Sequence, residues 1–413
     1  MNSRRLQRAR RRAALTQEQV ASTVGVSREM ISMWENGTRT PKPKMLSRLA
    51  DLYGTTTQFL RGESSEDETR NRKVLFRIGD YSPETKDEAH EGVRRWTGFL
   101  DNWADFLEAT GEIEPGLIQP GRPPKEIDEG FDITDARRAS TLARKVRDHY
   151  GLGQDAIPDL YSFLDEAGVL VYKASLDPVN KNRETVSGAF YNHHQVGYSI
   201  LVNVRCSEGR QAFTLAHEFA HALFHYPSQA LVSVSGDDDP RERFANAFAA
   251  YFLVPPKQLR KLCRKERDRR DNLSPFSALR FAAYFRVSYL MMLFRLNEER
   301  QITRSQVGEW KDYSPKRMAE RIGLDPDFLM SPDRHSPGSS KRDSLWRYPV
   351  SIVERIREAL RKENVSADRA VEVLQIDMDP AKLRRELLDI PERHGKDDEE
   401  NLDEYPIRWR AID

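Results

Sequence analysis

Two histidines four residues apart, His217 and His221, constrain the fold of this chain more than any other feature. Apolar residues surround them at helical spacing, which predicts that both lie on one α-helix. Side chains at positions i and i+4 of a helix share a face, with β-carbons about 5 to 6 Å apart, so the two imidazoles can bind one Zn²⁺ ion. Glu218 lies between them and is suited to act as a general base. We therefore predict a zinc site, against the alternative of an ordinary helix that carries two histidines.

A catalytic zinc ion needs a third protein ligand, and the best candidate is Glu242. The preceding Asp239 and Pro240 complicate this interpretation, because an aspartate cap followed by proline is also the start signal of a helix. Glu242 lies three residues after that cap, where a glutamate commonly completes a capping box. Spacing alone leaves both roles, ligand and cap, open.

A second segment, residues 15–37, has the pattern of two short helices joined by a tight turn. Thr16 and Gln19 can form a capping box at the first helix, and Gly25 is suited to the left-handed residue that ends it. Ser27 is the expected cap of the second helix. The apolar residues of both helices face one core, which leaves the rest of the second helix polar and exposed.

This pattern resembles the XRE (phage repressor-like) family of helix-turn-helix proteins over about 60 residues, from Leu-Thr-Gln-Glu-Gln-Val-Ala at 15–21 to Trp-Glu-Asn-Gly at 34–37. The resemblance implies a five-helix domain whose second motif helix enters the major groove of duplex DNA. The resemblance also implies which residues contact the DNA. Near base edges it places Ser27, Arg28, Glu29 and Ser32. Near the phosphates or flanking bases it places Gln17.

The charge of the chain is segregated, although its sum is small. Lys and Arg number 66 against 65 Asp and Glu in 413 residues, but residues 1–62 hold twelve basic and four acidic side chains. Six arginines between Arg4 and Arg12 predict a patch that neutralises DNA phosphates, with a solvated helix face as the alternative. The sequence contains no apolar run of membrane-spanning length and too few cysteines for a disulfide framework, so we expect a cytoplasmic protein.

The middle of the sequence predicts a small β-sheet followed by helices. Strands are indicated at 169–173, 186–191 and 198–203, and helices at 208–225 and 241–253. Upstream, a predicted helix carries an apolar stripe that either packs on the neighbouring domain or forms a dimer seam. The stripe comprises Val93, Trp96, Phe99, Leu100, Trp103, Phe106 and Leu107.

The stretch from Phe-Thr-Leu-Ala-His-Glu at 213–218 to Glu-Arg-Phe-Ala-Asn-Ala-Phe-Ala at 242–249 resembles the ImmA/IrrE family of metallopeptidases. The resemblance covers about residues 140–300, with Ser-Gly-Ala-Phe at 187–190 and Phe-Arg-Val-Ser at 285–288, and matches the subgroup fused to an XRE domain. It implies a zincin-like domain in which Glu242 is the third zinc ligand. Ala220 and Phe244 depart from the glycine and acidic residue usual in the family, but neither change removes a ligand or the base.

Together these observations predict an α+β protein, mainly α-helical with a small β-sheet, in four regions. Residues 1–62 form the XRE-type domain, and 63–130 form a linker with the amphipathic helix. Residues 131–300 form the zinc metallopeptidase domain, and 301–413 form a C-terminal helical region with an acidic tail.

Several other polar groups are assigned structural or exposed positions. His225, one turn after His221, is interpreted as a helix C-terminal group stabilised by the helix dipole, with tuning of the metal site or binding of substrate as the alternative. His193-His194 is predicted to be an exposed hairpin tip, and residues 237–239 a solvated loop and helix cap. Residues 352–374 predict a helical hairpin for packing or partner binding.

Two functions are compatible with these features. The first is a DNA-binding transcriptional regulator with a zinc-dependent endopeptidase domain that acts on a repressor-type protein or on itself. The second is a non-enzymatic autoregulating antitoxin whose metal domain senses or binds a toxin partner. In both cases the expected partner is double-stranded operator DNA. A homodimer is expected because helix-turn-helix proteins of this type usually bind paired half-sites.

Overall fold

The structure is a computed structural model. It describes residues 6–7, 9–10, 15–53, 57, 60, 83–111, 127, 133–174, 176, 187–193, 195–225, 230–232, 239–270, 272–325, 345 and 347–388. The chain divides into two compact units, Met1–Ile352 and Val353–Asp413, which are described separately. The domain limits predicted at residues 62, 130 and 300 stay predictions.

The N-terminal domain contains α1 (Gln17–Val24), α2 (Arg28–Glu35) and α3 (Pro43–Leu52), of which α1 and α2 form the predicted helix-turn-helix. Residues 6–7, 9–10, 57 and 60 are helical as well, as a five-helix domain requires. Apolar side chains from all three helices meet in one buried core, as predicted. The core includes Val20, Ile31, Trp34, Leu46 and Leu49.

Local capping explains where these helices begin and end. Thr16 and Gln19 form the predicted capping box at α1. Gly25 ends α1 with φ of 75°, a left-handed conformation that favours glycine. Ser27 Oγ accepts a hydrogen bond from the backbone N–H of Met30 and so starts α2.

A four-stranded mixed sheet follows later in the same unit, with strands β1 (Leu170–Ala174), β2 (Gly188–His193), β3 (Gly197–Asn203) and β4 (Ala230–Val232). Its spatial order is β1-β3-β2-β4, in which β3 runs parallel to β1 and antiparallel to β2. The three predicted strands are confirmed with their limits shifted by at most two residues. Strand β4 escaped prediction because three residues are too few to show an alternating pattern.

The amphipathic helix α4 (Pro83–Ala109) packs on this sheet within its own chain. Trp96 Nε1 donates a 2.8 Å hydrogen bond to Ser199 Oγ on β3. Phe99 packs on Tyr172 of β1, with ring centroids 5.4 Å apart. The stripe residues are all buried within the chain, Trp96 and Phe99 against the sheet, so the alternative of a dimer seam on this face is wrong.

The helices that build the rest of this unit are a 3₁₀ turn (Ala136–Arg138), α5 (Ala139–His149), α6 (Leu160–Glu166), α7 (Glu208–Phe224), α8 (Pro240–Leu253), α9 (Pro256–Arg270), α10 (Pro275–Phe285), α11 (Tyr289–Glu298), α12 (Arg304–Trp310) and α13 (Pro315–Arg321). Helix α7 packs against both the sheet and α8, and α8 also packs against α5. Aromatic rings fill the space between them, with Phe163 5.7 Å from Phe219 and 5.8 Å from Phe252.

A buried arginine, Arg147 on α5, ties the end of α8 to α5. Its guanidinium donates hydrogen bonds to the carbonyl oxygens of Phe252 at 2.6 Å and Gly153 at 2.8 Å, and to those of Leu152 and Asp155. Burial lowers the pKa of Arg147 to about 10, so the side chain stays charged at neutral pH.

Helix α14 (Val350–Arg361) crosses from the first unit into the second, which contains α15 (Ala367–Leu374) and α16 (Pro380–Leu388). Ser366 caps α15, Asp379 caps α16, and the two helices pack together. The helices predicted within residues 352–374 are thus present. Among the residues that the structure describes, none of the helices has both the length and the apolar character that a bilayer crossing needs.

Candidate metal centre and DNA-reading helix

Helix α7 carries His217, Glu218 and His221, and all three side chains are buried. Small and apolar neighbours such as Ala216, Phe219 and Ala220 let the sheet and α8 approach the helix closely, which removes its polar residues from water. Buried polar groups at these positions must find partners, because an unsatisfied one is costly. The partners come mainly from α8.

Glu242 on α8 meets both histidines. Its Oε2 lies 3.0 Å from His217 Nε2, and its Oε1 lies 3.4 Å from His221 Nε2. The two Nε2 atoms are 3.0 Å apart. Asp239 caps α8 by accepting from the N–H of Arg241, so the capping role belongs to Asp239. Of the two roles left open by the sequence, this geometry favours the ligand role for Glu242.

The three groups fit a divalent transition metal. Their ligand atoms all lie within 4.8 Å of one another. Two imidazole nitrogens and one carboxylate oxygen form the donor set that catalytic zinc sites use, with the fourth position left for water or substrate. Burying two ring nitrogens and a carboxylate side by side is costly, and a cation bound between them would offset that cost.

The pKa values of these three groups reflect their burial and their close contact. Burial acts to lower the pKa of His217, but the hydrogen bond that its ring donates to Glu242 and the charges of Glu218 and Glu242 outweigh it and raise the pKa. Burial lowers the pKa of His221 to about 3, so this ring is neutral. Burial acts to raise the pKa of Glu242, but its bonds to both histidines outweigh this and lower it.

The Nδ1 atom of each of the two histidines contacts a further side chain. Asn246 Oδ1 lies 2.9 Å from His217 Nδ1, and His225 Nδ1 lies 2.7 Å from His221 Nδ1. The sequence interpretation of His225 as a group at a helix end stabilised by the dipole is therefore incomplete, since its ring is only 2% exposed and contacts His221. Asn246 was assigned no role, although its position one turn after Glu242 is a signal that could have found it.

Gly188 at the start of β2 brings the sheet close to Glu218. A β-carbon at this position would lie 2.5 Å from Thr214 Cγ2 and 2.7 Å from the carbonyl oxygen of Leu201, which is too close. It would lie 3.9 Å from Glu218 Cγ. Glycine is thus required for the close approach of β2 to the helix that carries the proposed base.

The sequence also predicts an exposed hairpin tip at His193-His194 and a solvated loop and helix cap at residues 237–239. His193 is buried, where an exposed hairpin tip was predicted, because its Nε2 lies 3.1 Å from Asp101 Oδ1 on α4 and its Nδ1 accepts from the N–H of Val196. The prediction of exposure is wrong for His193. His194 and residues 237–238 lie outside the described residues.

The residues expected to read DNA lie on or beside α2. Ser27, Arg28 and Glu29 are exposed, and Ser32 is half-buried. Gln17 is half-buried, and its Nε2 donates a 2.9 Å hydrogen bond to Glu35 Oε2 within the domain.

One arginine of the predicted basic patch is turned inward. Arg10 donates to Glu35 at 2.5 and 2.9 Å and is 11% exposed. It therefore contributes to the core of the domain instead of the phosphate-binding surface. The remaining five arginines of that patch lie outside the described residues.

Comparison with known proteins identifies both regions. Residues 6–60 match the family model described as Helix-turn-helix, and residues 164–297 match that of the peptidase M78 IrrE N-terminal-like domain. The chain is also 29% identical over 127 residues to the HTH-type transcriptional regulator ImmR of Bacillus subtilis (strain 168), an alignment that covers 30% of this chain and 93% of ImmR. The chain therefore combines an XRE-type helix-turn-helix domain with a peptidase domain of the ImmA/IrrE family.

Proposed function

We propose that this protein is a DNA-binding transcriptional regulator whose ImmA/IrrE-type domain is a zinc-dependent endopeptidase acting on a repressor-type protein or on itself. The observation that carries the proposal is the meeting of His217, His221 and Glu242 beside the buried Glu218. A structural role for these groups alone gives no reason to gather four ionisable side chains in one buried site, which is costly without a cation.

In the proposed reaction, His217, His221 and Glu242 hold the ion. When bound, zinc supplies a Lewis acid that polarises a peptide carbonyl and lowers the pKa of a water molecule. Glu218 accepts the proton of the attacking water and delivers it to the leaving amine. Burial of Glu218 supports this role, because a desolvated carboxylate is a stronger proton acceptor than a hydrated one.

The exposed end of α2 supports operator binding. Arg28 is suited to the O6 and N7 acceptors of guanine, and Ser27, Glu29, Ser32 and Gln17 are the further proposed contacts. A homodimer would present two such helices to half-sites about 34 Å apart, one turn of DNA. The similarity to ImmR, itself named a transcriptional regulator, supports this half of the proposal. The cytoplasm, where operator DNA is available, is the proposed location.

The test combines metal analysis of the purified full-length protein with incubation against candidate repressor proteins and against the chain itself. We expect about one zinc ion per chain and metal-dependent cleavage, which a chelator stops. Glu218→Gln is the matched control, because it removes the base and keeps the ligands, so it should retain zinc and operator binding but lose cleavage by about 10² to 10⁴-fold.

The alternative, a non-enzymatic antitoxin whose metal domain binds a toxin partner, makes a different prediction for the same variant. Regulation in cells would then be identical for the native protein and Glu218→Gln, and no fragment would appear. Metal content far below one zinc ion per chain would contradict the peptidase proposal directly.

A further inference from the structure

The hydrogen bonds behind His221 run through a second buried histidine to the backbone. His225 Nδ1 lies 2.7 Å from His221 Nδ1, and His225 Nε2 lies 2.6 Å from the carbonyl oxygen of Ile133. A carbonyl oxygen only accepts hydrogen bonds, so His225 Nε2 carries a proton and donates it to this contact. A neutral imidazole with its proton on Nε2 has a lone pair on Nδ1. The proton shared by the two Nδ1 atoms then belongs to His221.

This assignment determines which nitrogen of His221 can bind a metal. With a proton on Nδ1, the lone pair of His221 lies on Nε2, which is the atom 3.0 Å from His217 Nε2 and 3.4 Å from Glu242 Oε1. The arrangement on His217 is equivalent, since Asn246 Oδ1 lies 2.9 Å from its Nδ1 and can accept a hydrogen bond from it. Both proposed ligands thus have an acceptor behind them.

We propose that His225 is a positioning residue of the metal site: it accepts a hydrogen bond from His221 Nδ1 and so holds the His221 ring with its Nε2 lone pair directed at the ion. The inference rests on the proposed zinc site and adds to it a residue outside the two-histidine motif. His225 itself is not a ligand, because its Nε2 is bonded to Ile133 and its Nδ1 to His221.

The ring of His225 is fixed well enough to serve this purpose. It is 2% exposed, and its backbone N–H donates to the carbonyl oxygen of His221 at the end of α7. The edge of the ring contacts Phe244, with centroids 5.6 Å apart at 76°. A hydrogen-bond partner on the ring nitrogen that does not bind the metal restricts the orientation of a metal-binding imidazole. Loss of such a partner commonly weakens metal affinity about 10- to 100-fold.

The two nitrogens of His225 can be tested separately with amide side chains. Asparagine places an acceptor oxygen where His225 has Nδ1, whereas glutamine places a donor nitrogen where His225 has Nε2. Zinc affinity of the full-length protein is measured by competition with a chromophoric chelator for the native chain, His225→Asn, His225→Gln and His225→Leu. Phe248→Leu is the packing control, because Phe248 is buried near Phe244 but contacts none of the histidines through its ring.

We expect His225→Asn to bind zinc within a few-fold of the native chain, and His225→Gln and His225→Leu to bind it about 10- to 100-fold more weakly. Phe248→Leu should melt at a lower temperature without weaker zinc binding. Equal affinities for the native chain, His225→Asn and His225→Gln would overturn the inference. So would an asparagine variant as weak as the glutamine one. If the native chain itself does not bind zinc, the proposed metal site fails as well, so the two failures are distinguishable.

Discussion

Glu242 Oε2 lies 3.0 Å from His217 Nε2, although the two residues are 25 positions apart and belong to different helices. Asp239 and Pro240 lie at the start of α8, and Glu242 follows in its first turn, where its carboxylate lies beside both histidines. The helix cap and the proposed ligand are therefore separate residues, and substitutions can separate their effects.

Glu242→Gln is expected to weaken zinc binding by more than the roughly 100-fold that a positioning residue contributes, because a neutral amide replaces the charged carboxylate that we propose as a zinc ligand. Asp239→Ala is the matched control on the same helix turn. It should cost about 1 kcal/mol of stability through the lost cap and leave zinc affinity unchanged. Chelator competition and thermal unfolding of both variants check this. If Asp239→Ala weakens zinc binding as much as Glu242→Gln does, the two roles are not separate.

Zinc affinity should fall as the medium becomes more acidic, and the fall should already begin at a pH above 6.5. The pKa of His217 is raised above its ordinary value of 6.5, so in the metal-free protein the protonated ring stabilises the fold below that value, and this contribution is lost as the pH rises through the shifted pKa. Zinc requires the neutral ring. Below the shifted pKa each binding event must displace a proton, which costs about tenfold in affinity per pH unit.

Chelator competition across this range provides the measurement. In Glu242→Gln one of the two carboxylates that raise the pKa of His217 is absent, so the decline should begin at a lower pH than in the native chain. The same onset in both proteins would contradict the assigned cause of the shift.

The local parts of the fold could be predicted because their signals are local. The capping box at Thr16, the left-handed Gly25 and the helical spacing of His217 and His221 each depend on residues within one or two turns, and the structure has all of them. The role of Glu242 could not be decided from spacing, because cap and ligand use the same position, and the difference lies in how α8 packs on α7.

The misjudged residues have partners far away in sequence. His193 was predicted to be exposed because it lies near a strand connection, but its partner Asp101 lies on a helix 92 positions earlier. Arg10 belongs to the basic patch that the sequence predicts, yet its partner Glu35 comes from another helix of the domain. His225 is buried through contacts with Ile133, also 92 positions away. Polarity alone cannot reveal such pairings, since a buried polar group and an exposed one have the same sequence pattern.

Replacement of Arg28 is expected to weaken operator binding without affecting the fold. The side chain is exposed at the first turn of α2, so Arg28→Ala removes no packing. Loss of one bidentate contact to guanine costs about 1 to 3 kcal/mol and relaxes specificity at that base pair. Selection of binding sites from random duplexes, followed by titration, gives both values. Arg48→Ala, an exposed arginine on α3, is the control, and it should keep the sequence preference of the native protein.

The hydrogen bond from Trp96 Nε1 to Ser199 Oγ should contribute measurably to stability, because it is buried and joins α4 to the sheet. Trp96→Phe keeps most of the aromatic packing and removes the donor, and Ser199→Ala removes the acceptor. A double-mutant cycle in urea should give a coupling of about 1 kcal/mol. A coupling near zero, or a change in oligomeric state in Trp96→Phe, would contradict the packing of α4 within its own chain.

Arg147 is expected to be among the most important single residues for the stability of the peptidase domain. Its guanidinium satisfies four backbone carbonyls, and Arg147→Met would leave these acceptors buried without a donor, at a cost of roughly 3 to 5 kcal/mol. Arg144→Met is the control, because Arg144 lies on the same helix, is 62% exposed and pairs with Asp148 at the surface. It should change stability by less than about 1 kcal/mol.

The effect of Arg147 on the metal site should be small in spite of this large cost. The carbonyl oxygen of Phe252 accepts the hydrogen bond from Arg147 to α8. Phe252 is ten residues from Glu242, about 15 Å along the helix. The rise in melting temperature on adding zinc should therefore be similar in Arg147→Met, in Arg144→Met and in the native chain, while the zinc-free melting temperature falls in Arg147→Met alone. Because the two readouts come from one unfolding experiment, a loss of the zinc response in Arg147→Met would mean that α8 needs its far end fixed to present Glu242 at all.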